Sequence, residues 1–276
     1  MKKILTLLIL FICNYSFSQN MDSTGWKFLP SSRIFHPVEA GIFESRIAIT
    51  KFSNKNIKLD IGGSTDIVQF CNNKDLFSGG AEFFTFSYLK SEDNFKFPVD
   101  AIDYYFGIFL SHKKNINSSF GLSSRLRIAH ISSHLEDGHK YDVPFPAAVV
   151  YSREFVQFDE MLTYNSHNIV IRNALGLKYL FHTIPDEFGK VAFTYGMDAR
   201  YSFSKIFSIY FSDELRIESV SGETSGNNNI ETGVNIGGLN RTGISVFYTY
   251  YDGMDYKGQY YGKYFNSKGI GFKVNF

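Results

Sequence analysis

The sequence has few of the residues that cross-link or interrupt a chain. Its 276 residues include 2 cysteines, 6 prolines and 1 tryptophan. The cysteines are Cys13 and Cys71, and Cys13 lies in an N-terminal stretch that we expect to be removed. One cysteine would then remain in the mature chain, which excludes an intrachain disulfide.

The sequence also lacks an excess of one charge and a long apolar run. It has 28 Lys and Arg against 27 Asp and Glu, which argues against a nucleic-acid partner because such partners need a basic surface. No stretch after Cys13 approaches the ~20 apolar residues of a spanning helix. If the mature chain lies in a membrane, it must therefore be a closed barrel. No phosphate-binding glycine loop or cysteine cluster is present, so we predict no cofactor.

The first residues predict a secretory signal peptide. Lys2 and Lys3 precede an apolar run over residues 4–13, and residues 16–18 form a small–x–small cleavage site. We therefore assign residues 1–18 to the signal peptide. This assignment directs the chain to the cell envelope.

What the sequence does have is strand-forming side chains. It contains 29 Phe and 18 Tyr, and 44% of its residues are hydrophobic. Such residues favour β-strands. We interpret residues 19–39 as a lead-in segment, either periplasmic or inside the lumen, and residues 40–276 as one antiparallel transmembrane β-barrel. The predicted strands cover 40–53, 56–70, 79–90, 101–112, 118–133, 148–164, 167–182, 188–204, 206–219, 228–238, 242–252 and 267–276.

Residues 190–203 show the alternation most clearly. One face of this predicted strand is apolar: Val191, Phe193, Tyr195, Met197, Ala199, Tyr201 and Phe203. The other face is charged or small: Lys190, Ala192, Thr194, Gly196, Asp198, Arg200 and Ser202. Strands of soluble sandwiches average ~5–6 residues. A longer alternating strand suits a tilted bilayer crossing of ~9–11 residues together with its rims.

The last nine residues resemble the closing strand of an outer-membrane barrel. Ile270, Phe272, Val274 and Phe276 share one face, and the opposite face is small or polar. We expect this strand to bind the barrel-assembly machinery. Together with about twelve strands, short turns on one side and longer loops on the other, it predicts an outer-membrane location with lipids as partners.

Residues 130–139 hold three of the 7 histidines. The apolar residues of the preceding strand, such as Leu126 and Ile128, place His130, Ser132 and His134 on the lipid face near the outer rim. A serine nucleophile needs an adjacent base, and the base needs an orienting group.

The chemical interpretation of this stretch is a lipid esterase. Ser132 would be the nucleophile and His130 the base. If the hairpin is symmetric about residue 141, Ser152 lies opposite His130, and the nearby Glu154 would be the orienting acid. A second interpretation is packing at the rim, with hydrogen bonds to loops or headgroups. A third is a metal site formed by His130, His134, His139 and Asp137, but the spacing matches no zinc motif, so we predict no metal.

These motifs carry two resemblances. The H-x-S arrangement on a lipid-facing edge is similar to outer-membrane phospholipase A and to lipid A deacylase. The segment R-I-A-H-I-S-S-H-L-E-D at 127–137, with residues 28–30 and 258–261, resembles a family of uncharacterised bacterial outer-membrane barrels. Glu136 stands where that family is expected to carry glycine. The second resemblance implies the location but no activity.

Charged residues also fall on the faces predicted to line the lumen: Arg125, Arg127, Arg172, Lys178, Asp198, Arg200, Glu214 and Arg216. They fit a channel constriction or an ion-paired filled interior, and we favour the second. A barrel of about twelve strands lies between filled barrels of ~8 strands and open porins of ~16. The sequence thus predicts an outer-membrane barrel of undefined, structural or envelope-associated activity. The alternatives are a lipid esterase and a narrow pore.

Overall fold

The computed structural model describes residues 24–72, 75–136, 149–237 and 243–275. The predicted signal peptide lies outside them. The strands are β1 (Gly25–Phe28), β2 (Ile47–Phe52), β3 (Asn56–Asn72), β4 (Asp75–Lys90), β5 (Val99–Asn115), β6 (Phe120–Leu135), β7 (Tyr151–Ser166), β8 (Ile169–Ile184), β9 (Val191–Ser202), β10 (Phe207–Val220), β11 (Glu223–Ile236), β12 (Gly243–Met254) and β13 (Tyr264–Asn275). Among the described residues, no helix is long and apolar enough to cross a bilayer.

Strands β2 to β13 form a closed antiparallel barrel of 12 strands. Consecutive strands pair with each other, and β13 closes the ring by pairing with β2 from Phe52 to Ile47. The predicted fold class is therefore confirmed. The sequence did not predict the short β1, which pairs with β3 beyond the part of β3 that β2 covers.

The two faces of the wall differ as the alternation predicts. Phe193 and Leu175 are 55% and 65% exposed on the outside, while Asp198 is 3% exposed on the inside. Some polar residues interrupt the apolar outer face; Asn173 and Asp213 are two of them, and each has a cross-strand partner. The Tyr195 hydroxyl donates to Asn173 Oδ1 at 2.9 Å, and Asn228 Nδ2 donates to Asp213 Oδ1 at 2.6 Å. These hydrogen bonds lower the cost of exposing the two side chains to lipid.

Residues 30–46, called the inner segment below, run through the barrel interior. The predicted strand 40–53 is corrected here, because β2 begins only at Ile47. The backbone of the inner segment is bonded by side chains of the wall instead of by a neighbouring strand. Ala40 N–H donates to Ser212 Oγ at 2.8 Å, and Asn229 Nδ2 donates to the Ala40 carbonyl at 2.7 Å. Buried polar groups need such partners, so residues 40–46 can leave the sheet.

Residues 255–263, called the cap segment, cover the barrel end that carries the longer loops. Tyr256 is buried among Tyr88, Tyr251 and Phe265. Gly258 N–H donates to Asp103 Oδ2 at 3.1 Å, and Gln259 Nε2 donates to the carbonyl of Ser133 at 2.7 Å. The inner segment and the cap segment therefore fill the middle and the outer end of the lumen.

Candidate functional site

A polar cluster lies on the outer face of the barrel, near the end covered by the cap segment. It is built by three neighbouring strands. Between β6 and β7, His130 is directly opposite Glu154, and Ser132 is opposite Ser152. The sequence predicted Ser152 opposite His130, and this prediction is wrong. The observed register is shifted by two residues. The observed register brings the proposed base and the proposed acid face to face.

Glu154 is the centre of this cluster. His130 Nδ1 lies 2.6 Å from Glu154 Oε1, and Ser152 Oγ donates to the same oxygen at 2.6 Å. The other carboxylate oxygen, Oε2, bonds Nδ1 of His182 on β8. A carboxylate only accepts hydrogen bonds, so both imidazoles donate from Nδ1. In the neutral form of each ring, Nε2 is then the acceptor.

His182 was not predicted as part of the site. On β8 the outward residues are odd-numbered up to Phe181, so alternation alone would turn His182 toward the lumen. The β7–β8 register shifts beside Glu154, where Glu154 pairs with His182 but Phe155 pairs with Leu180. This bulge leaves Phe181 as the extra residue, and both Phe181 and His182 are exposed. Bulges often redirect a side chain beside a functional site.

Aromatic side chains of β5 flank the cluster on the other side. Tyr104 is opposite Ser132, and Phe106 is opposite His130, with a ring separation of 6.2 Å. His134 stacks edge-on against Tyr104 at 5.7 Å and is not bonded to Glu154. The cluster therefore has aromatic side chains on its β5 side.

Ser132 lies on the same face as His130, two residues further along β6. Within the described residues, no hydrogen bond joins Ser132 Oγ to His130, although catalytic hydrogen bonds are often longer in a free enzyme. The described residues also contain no group of three or more side chains arranged to hold a metal ion. Asp137 and His139, considered above as metal ligands, lie outside the described residues.

The charges predicted for the lumen do lie on the inner face, where they are buried or half-buried. Five of the arginines form ion pairs: Arg125 with Glu44 at 2.6 Å and Asp159 at 2.9 Å, Arg127 with Glu44 at 3.0 Å, Arg172 with Asp198, Arg200 with Glu39 at 2.5 Å, and Arg216 with Glu218 at 3.0 Å. Lys178 Nζ lies 4.4 Å from the centre of the Phe155 ring, and Glu214 accepts from Ile42 N–H at 3.2 Å. Two of these partners, Glu39 and Glu44, belong to the inner segment, so the charges of the wall attach this segment to the interior of the barrel.

The closed wall, the apolar outer face and the filled polar lumen define an outer-membrane type of β-barrel. No family model and no curated protein matches the sequence. Solved structures with the same fold include the outer membrane phospholipase A from Escherichia coli, with a TM-score of 0.52, 14% identity and coverage of 88% of this chain and 94% of that one. The outer membrane phospholipase from Salmonella typhi, a dimer with bound calcium, has a TM-score of 0.54, 14% identity and coverage of 88% and 93%. At this identity the likeness shows the fold alone.

Proposed function

We propose that the protein resides in the outer membrane and hydrolyses ester bonds of lipids there. The location is supported by the apolar outer face and by the fold shared with outer-membrane proteins. The observation that carries the activity is the 2.6 Å contact between His130 Nδ1 and Glu154 Oε1. In this contact Glu154 holds His130, the proposed base. Ser132, the proposed nucleophile, lies on the same face two residues along β6.

The chemistry follows the general serine hydrolase scheme. His130 Nε2 takes the proton of Ser132 Oγ while that oxygen attacks the ester carbonyl carbon. The tetrahedral intermediate expels the alcohol, which receives the proton from His130. Water, activated by the same nitrogen, then hydrolyses the acyl-serine and releases the fatty acid. Glu154 fixes the imidazole and stabilises its charged form.

The position of the cluster fits a lipid substrate. It lies on the outer face of the wall and is flanked by Phe106 and Phe181, which are 48% and 50% exposed. An acyl chain in the bilayer would contact these rings, and its ester group would lie toward the rim, where polar side chains are less costly. In this proposal Ser152 and His182 hold Glu154 in place.

The test is release of fatty acid from phospholipid or lipopolysaccharide in mixed micelles by the purified protein. We expect the wild type to release fatty acid and Ser132→Ala to lower the rate by about 10³-fold or more. Ser124→Ala is the matched control, since Ser124 lies on the same face of β6 and outside the cluster. No release by the wild type, or an equal rate in Ser132→Ala, rejects the hydrolase. Circular dichroism of each variant shows that the barrel has folded.

A further inference from the structure

An apolar patch lies on the outside of the barrel, at the end opposite the cap segment. It consists of Trp26, Phe28 and Leu29, called the entry patch below because the chain passes from it into the inner segment. The three side chains are 66%, 78% and 76% exposed. Large apolar side chains that are exposed together mark a contact with a partner or a membrane. The Glu154 cluster lies near the cap segment, so the entry patch takes no part in the proposed hydrolysis.

Strand β1 continues the outer surface of the wall. Directly opposite residues of an antiparallel pair share a face. Trp26 is opposite Phe70 on β3, Phe70 is opposite Phe77 on β4, and Phe77 is opposite His112 on β5. The rings of Trp26 and Phe70 lie 4.8 Å apart, and those of Phe77 and His112 lie 4.7 Å apart. One row of aromatic rings therefore crosses four strands, and it joins the entry patch to the apolar outer face of the barrel.

The position of this row fits the edge of a bilayer. It crosses the ends of β3 and β4, which are joined by the short connection between Asn72 and Asp75. Short connections of outer-membrane barrels face the periplasm. His112 Nε2 lies 2.8 Å from Asp75 Oδ1, and such a polar pair on the lipid face costs less at the edge of a bilayer than at its centre. Tryptophan and tyrosine are enriched at this level. In a barrel that spans the outer membrane, the row thus lies at the headgroups of the periplasmic leaflet.

Leu29 has an unusual backbone conformation for a bulky residue. Its φ is 47°, in the left-handed region that glycine and asparagine adopt more readily. Leu29 N–H donates to the Ile67 carbonyl at 2.8 Å, which extends the pairing of β1 with β3 by one bond. A large apolar side chain therefore stands at a position that is both strained and exposed. Strain of this kind points to a use for the side chain outside the fold.

We propose that β1 is a membrane anchor, and that the entry patch inserts into the periplasmic leaflet at the level of the headgroups and upper acyl chains of phospholipids. The proposal rests on the outer-membrane location proposed above and is independent of the hydrolase. Insertion removes the three apolar side chains from water. Residues 26–29 of the lead-in segment are then neither periplasmic nor luminal, and they fix the start of the inner segment at the membrane edge.

The test uses Trp26 as a reporter, because it is the only tryptophan of the sequence. The full chain is inserted into phospholipid vesicles that carry bromine either near the headgroup end or near the tip of the acyl chains. The Ser132→Ala background prevents hydrolysis of these lipids. We expect bromine to quench the fluorescence of Trp26, and to do so more strongly near the headgroup end than near the tip.

A variant of the entry patch keeps the reporter and removes its apolar neighbours. Phe28→Ser with Leu29→Asn should abolish most of the quenching, and asparagine tolerates the left-handed backbone at position 29. The matched control is Phe95→Ser with Phe97→Ser, which removes two exposed apolar side chains from the β4–β5 connection and should leave the quenching unchanged. An equal loss in both variants overturns the proposal. Circular dichroism again shows that each variant has folded.

A second reporter separates the anchor from insertion of the barrel. Trp26→Phe with Leu175→Trp moves the single tryptophan to the middle of β8, where we expect stronger quenching by bromine near the tip. Quenching at position 175 without quenching of Trp26 overturns the anchor while the barrel remains inserted, and it would assign the entry patch to a protein partner. Absence of quenching at both positions rejects the membrane location, and the anchor with it.

Discussion

At the scale of single residues, the outer cluster is organised by one carboxylate that binds three side chains from three strands. Glu154 receives hydrogen bonds from His130, Ser152 and His182. Each of these side chains is outward-facing, on a wall that is otherwise mostly apolar. Polar groups on a lipid-facing surface are costly unless they satisfy one another or serve a function. A catalytic role for this carboxylate can be tested directly.

Glu154→Gln keeps the size of the side chain and removes its charge. We expect kcat for lipid ester hydrolysis to fall about 10²-fold or more with little change in KM, because an amide stabilises the imidazolium poorly and favours the wrong tautomer. Glu160→Gln is the control, since Glu160 lies on the same face of β7 and outside the cluster. Equal activity of Glu154→Gln and wild type would remove Glu154 from the mechanism.

The sequence could predict part of this site. Strand alternation places His130 and Ser132 on the outer face, and the structure agrees. It could not fix the register of β6 against β7, because the connection between them is long and does not impose one. It also could not find His182, because the bulge at Phe181 reverses the alternation and has no glycine to mark it. Registers and bulges depend on pairing, which one strand alone does not encode.

At the scale of elements, the inner segment is held by charge and by apolar packing. Phe43 packs within the largest buried cluster, and Phe35 and Val38 pack against Met161. Glu44 then pairs with both Arg125 and Arg127. A local pattern that reads as a strand over residues 40–46 cannot show these contacts, because the partners lie far along the chain. For this reason the alternation alone predicted, wrongly, that residues 40–46 form part of a wall strand.

Glu44→Gln tests the electrostatic part of this attachment. The change leaves two buried guanidinium groups with fewer counter-charges, and breaking buried pairs typically costs about 3–5 kcal/mol. We expect the free energy of unfolding to fall by about that amount, measured by urea titration in lipid vesicles. Glu92→Gln, on an exposed connection, should change it by less than about 0.5 kcal/mol. A loss for Glu44→Gln as small as that of the control would mean that packing alone holds the segment.

At the scale of the whole molecule, the barrel presents an apolar belt outside and a filled polar interior. The alternation of side chains made the closed barrel predictable, because alternating strands longer than those of soluble sandwiches suit a tilted bilayer crossing, with the apolar face toward lipid and the charged face toward the interior. The sequence did not decide between a periplasmic and a luminal location for the lead-in segment. It therefore did not predict what fills the interior. This architecture has two consequences that can be measured separately. The barrel should insert into a bilayer, and its lumen should not conduct ions.

Substitution by arginine at two depths tests insertion in a bilayer. Leu175 is 65% exposed in the middle of β8, and Val191 is 45% exposed at the first position of β9. We expect Leu175→Arg to lower the free energy of unfolding in vesicles by about 2–4 kcal/mol and Val191→Arg by about 0–1 kcal/mol, because the cost of a charge depends on depth. Equal effects at the two positions would contradict a lipid belt centred on Leu175.

Planar-bilayer recording tests whether the lumen is closed. We expect no conductance steps from the wild type, because the inner segment and the cap segment fill the axis. Replacing residues 34–43 and 256–261 together by Gly-Ser linkers of equal length should produce steps, provided that the barrel still folds. Steady conductance through the wild type would show that the two segments leave an ion pathway open. The narrow pore would then be the better interpretation of the function.

The route of the inner segment also has a consequence for biogenesis. Both of its ends join the wall at one edge of β3, and two of its backbone hydrogen bonds reach side chains 159 and 189 residues further along the chain. β13 must pair with β2 to complete the ring. The early residues are therefore synthesised long before the strands that receive them, and they must already be inside when the last strand docks. Entry of the inner segment must therefore be complete by the time that β13 pairs with β2, and a chain that closes without it would have to reopen this pairing to correct the error.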